Sequence, residues 1–435
     1  MIIIKRISLF LLGMMMIALS FGESVTLFGF SLSWIFAGLV AFFMGIHMLL
    51  SLNTLKKALI RNNLTNKIIF FALFWLVYAA IQGLWANDIS LWKQGMLSAL
   101  INIFIIIVLW YFLTSNNDID AFLKYSIPLW LVNIGLGIYE FVSKNNFITK
   151  STYEQNFFYV STFFANPNDC ATWMCLCFLI LALYIKRRKY HKIFTVIAWA
   201  ITTFIVLQTG SRACLYGMIA YAALYVISSL IIILEDKRKD RGVLKTLFWV
   251  AASAVILIIF FGVYGDMIST LIYKFSGQAN QSSDFFRLEI IKDTIRVILN
   301  SLFLGVGAYQ TISYIGINPH NFFLELLADF GLPIFAFTCY IFAKIINVFF
   351  DKSTDKPSRS YYLSYAISFF IISISSSSMN RLRLTWVSLI VTFLAVAYSS
   401  RQEALCDTEQ NGSCESNEGK PRSIFAAKHK NKWMK

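Results

Sequence analysis

Apolar runs long enough to cross about 30 Å of hydrocarbon recur along the whole chain. They begin near residues 7, 30, 68, 95, 121, 169, 193, 213, 246, 321, 361 and 384. A lipid environment offers backbone groups no hydrogen-bond partners, so such runs must be helices that satisfy their own amides and carbonyls. The expected fold is therefore all-α: a polytopic integral membrane protein of about 12 transmembrane helices. Composition agrees, with 58% hydrophobic and 14% charged residues against about 25% charged in soluble domains. One helical domain over residues 1–400 and a polar, disordered tail over 401–435 are expected.

The net charge of +15 would suggest nucleic acid in a soluble chain. Here it follows from topology, because Lys and Arg gather in loops retained on the cytoplasmic side. With the amino terminus inside, inner segments receive Lys5 and Arg6, then Lys56, Lys57, Arg61 and Lys67, then the 186–192 and 237–245 clusters, then Lys352, Lys356 and Arg359. Both termini are read as cytoplasmic. The turn at Asp118 and Asp120 runs against this pattern. The first run follows Lys5-Arg6 and also has the outline of a signal peptide, but a second run follows closely and it is read as helix one. The seven cysteines lack the paired spacing of a zinc site; Cys175 and Cys177 read as packing residues, and neither metal nor cofactor nor structural disulfide is expected.

Two outer segments are long, 143–168 and 265–320, and long loops in compact proteins are usually functional or disordered. The second contains apolar residues at 285, 288, 291, 295 and 298, the spacing of an amphipathic helix at the membrane interface, with Ser283 or Asp284 as its cap. Beyond Leu304-Gly305-Val306-Gly307, the pair Asn318-Pro319 signals a helix start. That start would place His320 in the first helical turn at the outer surface, where the helix dipole favours neutral imidazole. Of the four histidines, His47, His191 and His429 fall on the inner side, leaving His320 alone outside. Arg212, Arg287, Arg381 and Arg383 also lie outside, where topology disfavours them. One such arginine could simply meet a lipid headgroup; several beside one histidine suggest an anionic ligand, since a guanidinium fork suits phosphate oxygens.

Arg287, Gly305-Val306-Gly307, His320-Asn321 and Gly331 together resemble the carboxy-terminal signature of the bacterial O-antigen ligase and polysaccharide polymerase superfamily. Phe164-Ala165-Asn166-Pro167-Asn168-Asp169 and Thr209-Gly210-Ser211-Arg212 are similar to segments found in the same order there. The resemblance spans roughly residues 160–335. It implies a metal-independent, inverting glycosyltransferase in the bacterial inner membrane, using a polyprenyl-diphosphate-linked glycan donor and a lipid-linked acceptor, with a chain-length regulator as an optional partner. His320 would be the general base. Arg212 and Arg287 would hold the diphosphate, Arg381 and Arg383 would be second-line contacts, and Asn321, Asn166 and Asn168 would support, the last two by capping a helix. Tyr153, Phe157, Phe158 and Tyr159 could stack on sugars, although interfacial aromatics more often form the membrane belt. Polymerase is preferred over ligase; a transporter or flippase for lipid-linked sugars is the competing class, and would need polar groups along a path through the bilayer.

Overall fold

A computed structural model describes residues 2–21, 25–27, 30–50, 63–147, 158–164, 166–186, 188, 191–235, 281–374 and 382–412. In chain order the helices are α1 Ile2–Leu19, α2 Leu32–Leu50, α3 Asn63–Ile81, α4 Ile89–Phe112, α5 Asn116–Leu123, α6 Ser126–Ser143, α7 Pro167–Ile185, α8 His191–Thr209, α9 Arg212–Glu235, α10 Gln281–Asn300, α11 Thr311–Ile315, α12 Phe322–Phe350, α13 Lys356–Ile372 and α14 Arg383–Gly412. A two-residue hairpin, β1 Thr26–Leu27 against β2 Phe30–Ser31, joins α1 to α2.

The protein is an all-α, multi-pass membrane protein. Among the described residues, eight helices are long and apolar enough to cross a membrane, and α14 carries a shorter apolar stretch, Arg383–Tyr398. The larger number expected from sequence also includes α1 and α13, which pack into the same bundle but begin with charged or polar residues. The run near residue 246 lies outside the described residues, as do Arg381, Tyr153, Phe157 and residues 413–435. The run near 121 is divided: Ser115 caps α5, which ends before Lys124, and α6 starts afresh. Helix α14 continues to Gly412, past residue 401 where the polar tail was expected to begin; Arg401-Gln402-Glu403-Ala404-Leu405 are all good helix formers.

The helix ends fall into two sets. At the Lys5 end, the Lys5 ammonium lies 2.7 Å from the Asp118 carboxylate and donates to Thr114 Oγ1 at 3.0 Å, so the acidic turn that ran against the charge pattern is the partner of the basic amino terminus. At that end too, Lys186 donates to Ser358 Oγ, Arg359 donates to the Phe349 carbonyl, and His47 is buried against Tyr111 OH at 2.8 Å. At the opposite, His320 end lie the 82–88 and 301–321 connections and residues 144–147 and 158–164. The order matches the alternation inferred from basic residues.

Helix α9 runs alongside α13 over most of its length through a stripe of small residues, the usual device where two membrane helices approach closely. Ser368 Oγ donates to the Gly217 carbonyl at 2.8 Å, and Ser229 donates to Ser360 Oγ at 3.1 Å.

Helix α12 is broken, and the break explains the glycine signature. Gly331 has φ 74° and ψ −176°, and Pro333 follows. The Leu332 N–H is therefore turned away from the Ala328 carbonyl, and Pro333 has no N–H to give Asp329. Both carbonyls would be orphaned in an apolar setting, at a cost of about 1–3 kcal/mol each. The 303–307 loop supplies what is missing: Val306 N–H donates to Ala328 O at 2.8 Å, Gly307 N–H to Asp329 O at 2.9 Å, and Leu332 N–H donates to Phe303 O at 2.8 Å. The loop can come this close only because both crossing residues are glycines. A Cβ on Gly305 would stand 2.5 Å from Gly331 N, and one on Gly331 would stand 2.5 Å from the Leu304 carbonyl carbon.

The α3–α4 corner grips the other side of this loop. Gln82 Nε2 donates to the carbonyls of Leu304 and Asp329 at 3.1 and 3.0 Å, Trp85 Nε1 donates to Gly305 O at 3.0 Å, and Gln310 exchanges two 2.8 Å hydrogen bonds with the Asp88 backbone. The buried Asp329 carboxylate accepts from the N–H groups of Tyr309 and Thr311 and from Thr311 Oγ1.

Candidate functional site

The segment before α12 differs from its sequence reading. Asn321, not Asn318, is the cap: its side chain accepts from the N–H groups of Phe323 and Leu324 at 3.1 Å each. His320 therefore precedes the cap instead of lying in the first turn, and adopts left-handed backbone with φ 54°. Pro319 begins no helix because the chain must turn once more before Phe322 N–H can donate to the Ser373 carbonyl at 2.9 Å. His320 is half-buried at the mouth of the helix.

That Phe322–Ser373 bond brings His320 towards Arg212. Helix α9 meets the same end of α13 at Gly217, which faces Ile372, and Arg212 begins α9 about 7.5 Å of helical rise outward of Gly217. The turn before Arg212 is shaped by Gly210, φ 73°, whose open side is filled by the Tyr159 ring, while Val160 N–H donates to Gln208 O at 3.1 Å. The 166–169 and 209–212 segments, separate in sequence, are thus neighbours: below them Thr172 Oγ1 and Cys214 Sγ are 3.5 Å apart. Asn166 caps α7, accepting from Asn168 N–H at 2.9 Å, with Pro167 at the first helical position. Asn168 contributes its carbonyl to Thr172.

Arg383 is more firmly built in than the sequence suggested. Its Nη1 donates to Ser98 Oγ at 2.7 Å, to Asn102 Oδ1 at 3.1 Å and to the Ser98 carbonyl at 3.3 Å. These bonds fix the guanidinium plane at the wall of a cavity of about 720 Å³ between α1, α2, α4, α7 and α14. The wall is mostly apolar, with Trp34, Leu97, Ile101 and Phe104, and carries polar groups at Gln94, Ser31, Ser33 and Tyr309. Three residues along α14, Trp386 packs on Phe322 with ring centroids 5.8 Å apart, which ties this cavity to the start of α12 and hence to His320. Arg287 comes from α10, which packs against α12 and α11, and is half-buried.

Helix α10 occupies the expected residues but buries a neighbouring stripe. Ile290, Thr294, Val297 and Ile298 face protein, whereas Leu288 and Ile295 from the expected apolar stripe stay exposed with Phe286 and Leu299. The helix has one face for the protein and a second for the membrane interface.

Glu140, which stood out in the sequence as a charge near a span end, is a loop anchor. Fully buried, it accepts from the N–H groups of Phe147, Ser161 and Thr162 at 2.8–2.9 Å and from Asn146 Nδ2 at 3.3 Å. Replacing it with alanine should leave three N–H groups, two of them buried, without acceptors. The expected outcome is rapid protease cleavage between 144 and 164 in a protein that otherwise remains folded; unchanged resistance would contradict the anchoring role. Sequence reasoning passed over Ser98, Asn102, Gln94, Tyr309 and Asp329. Asn102 carried a usable signal, a polar side chain in the middle of a 24-residue apolar helix, since such residues mark function or helix contacts.

Cys170, Cys175, Cys177, Cys214 and Cys339 are free, and Cys175 and Cys177 are core residues. Among the described residues no group of three or more His, Cys, Asp or Glu side chains is placed to hold a metal.

Residues 196–339 match the family model described as O-antigen ligase. The chain is thus similar, over that third of its length, to the O-antigen ligase family. The matched stretch contains Arg212, Arg287, His320 and the glycine clamp. The chain is also similar to the teichuronic acid biosynthesis protein TuaE of Bacillus subtilis (strain 168), with 24% identity over 366 residues, covering 77% of this chain and 72% of that protein.

Proposed function

We propose that this protein is a surface-polysaccharide polymerase of the bacterial cytoplasmic membrane, moving a polyprenyl-diphosphate-linked glycan onto a lipid-linked repeat unit on the outer face. The match to the O-antigen ligase family model and the likeness to a teichuronic acid biosynthesis protein support cell-surface polysaccharide assembly of the ligase or polymerase type. The observation that carries the finer reading is the Arg383 cavity: an apolar wall suited to an isoprenoid chain and, at its edge, a guanidinium held for an anion, at the helix end that bears His320. His320 would take the proton of the attacking sugar hydroxyl. Arg212, Arg287 and Arg383, with Arg381 beside it in sequence, would stabilise the diphosphate as it leaves, and opposite-face attack would invert the anomeric centre. The Lys5 end, with both termini, would face the cytoplasm.

Ligase is the second reading, favoured by the description of the matched family. Transport is disfavoured by the buried carboxylates: of the three among the described residues, Glu140 and Asp329 are taken up by backbone N–H groups of loops and Glu325 lies in the first turn of α12 at the His320 end, so none marks a path through the bilayer.

The deciding experiment supplies purified protein in lipid nanodiscs with a polyprenyl-diphosphate-linked repeat unit, with and without a chelator, and displays the products by size. A ladder from repeat units alone supports polymerase. Product formed only after a separate acceptor is added moves the function to ligase, and no new glycosidic bond under either condition removes the transferase reading. In the same assay Arg383→Ala should raise the apparent KM for the lipid-linked donor roughly 10- to 100-fold, the worth of about 1.5–3 kcal/mol of charge-assisted hydrogen bonding. Arg383→Lys should recover part of the loss; an unchanged KM would take Arg383 out of donor binding.

A further inference from the structure

A second cavity, of about 270 Å³, shares no lining residue with the first. It lies between the carboxyl end of α10, at Val297, Asn300 and Ser301, the clamp loop at Leu304–Val306, and the rings of Trp85 and Tyr314. Both rings are large, open and held in place. Trp85 is 43% exposed although its indole N–H is tied to Gly305 O, and Tyr314 is 51% exposed although its short helix is anchored by Thr311 on Asp329. Exposed aromatic rings at a membrane interface are usually belt residues with one side in lipid. These two instead edge a concave space that also presents the Asn300 amide and the Ser301 hydroxyl. Flat apolar faces beside a few polar groups are the chemistry that recognises a sugar ring: its C–H face stacks and its hydroxyls hydrogen-bond.

Position limits which sugar this could be. Along α10, Asn300 is separated from Arg287 by about 20 Å at 1.5 Å of rise per residue. A sugar in this cavity is therefore distant from a diphosphate held at Arg287. We infer that the Trp85–Tyr314 cavity is a saccharide subsite that holds a sugar of the glycan beyond the one being joined. The inference rests on the proposal that a glycan is the substrate. It makes the protein a reader of the glycan past the reacting bond, so that chains long enough to reach the subsite bind better than a single sugar.

The test uses the full chain in nanodiscs of neutral lipid and, as probe, oligosaccharides released by mild acid from the host's own lipid-linked glycan, free of lipid and phosphate. Titration calorimetry should show saturable binding by wild type. Binding should weaken roughly 10-fold or more in Trp85→Leu, as expected for loss of about 1.4 kcal/mol of stacking, recover partly in Trp85→Phe, and weaken several-fold in Asn300→Ala. His320→Ala should bind as wild type does. Trp85 also supports the clamp, so the thermal midpoint of each variant is measured alongside; Asn300 is exposed and outside the clamp, and its variant decides the matter if Trp85→Leu does not fold. Absence of binding by wild type, or wild-type affinity in folded Asn300→Ala and Trp85→Leu, overturns the subsite and returns both rings to the membrane belt. Product ladders without oligosaccharide binding would remove only the subsite. Binding without any transfer would uphold the subsite and remove the polymerase.

Discussion

Replacing His320 with glycine is expected to lower glycosidic bond formation by roughly 10²–10⁴-fold, the usual contribution of a positioned general base, without lowering the amount of folded protein in the membrane. Glycine is the more informative substitution because of the backbone. His320 has φ 54°, a left-handed conformation that costs a residue with a Cβ roughly 1–2 kcal/mol and glycine almost nothing. The neighbouring contacts are made by other groups: Asn321 caps α12 and the Phe322 N–H reaches Ser373. His320→Gly should accordingly unfold at the same temperature as wild type or higher. A more stable and less active protein is what strain held at a working site predicts. His320→Ala should lose activity equally, with no gain in stability. Product ladders of wild-type yield from His320→Gly would take the imidazole out of the reaction, whatever the stability measurement showed.

The fold was legible wherever apolar length and charge alternation decide it. Every apolar run that falls among the described residues lies in a helix, and Lys5, His47, Lys186 and Arg359 share one end, as the loop charges implied. Local signals near the site misled where a tertiary contact outweighed them. Asn318-Pro319 is a sound start signal on its own, yet the cap moved to Asn321 because Phe322 had to meet Ser373 on another helix. On α10, periodicity named an apolar stripe without revealing that the helix has two apolar neighbours, protein on one side and the interface on the other. Arg383 was visible as a charge on the unexpected side, but its acceptors, Ser98 and Asn102, lie almost three hundred residues earlier. No spacing rule connects them. The glycine signature was legible as a pattern but not as a cause: Gly305 and Gly331 are required by one shared crossing of backbones.

That crossing should be the least forgiving place in the described structure. Gly305→Ala puts a Cβ 2.5 Å from Gly331 N and 2.6 Å from the Asp329 carbonyl oxygen, and Gly331→Ala puts one 2.5 Å from the Leu304 carbonyl. These neighbours are backbone atoms, so no side chain can swing aside to make room. Gly331 also occupies a region of backbone space that is essentially closed to other residues. Retreat of the loop would strip Ala328 O of its donor and leave Asp329 O only the Gln82 amide. Strain of about 1–3 kcal/mol together with one unsatisfied buried carbonyl gives a cost of roughly 2–6 kcal/mol for either substitution, a large part of the whole stability of many proteins. Little monodisperse protein should survive detergent extraction, as read by fluorescence-detected gel filtration. Gly316 is the internal control: its φ of 76° is similar to that of Gly305, but a Cβ there meets nothing within 4 Å. Gly316→Ala should cost only the torsional part, roughly 1–2 kcal/mol, and leave extraction and product ladders near wild type. If Gly305→Ala proved as benign as Gly316→Ala, the close crossing could not be what the two clamp glycines are for, and the broken helix would have to be held by the α3–α4 corner alone.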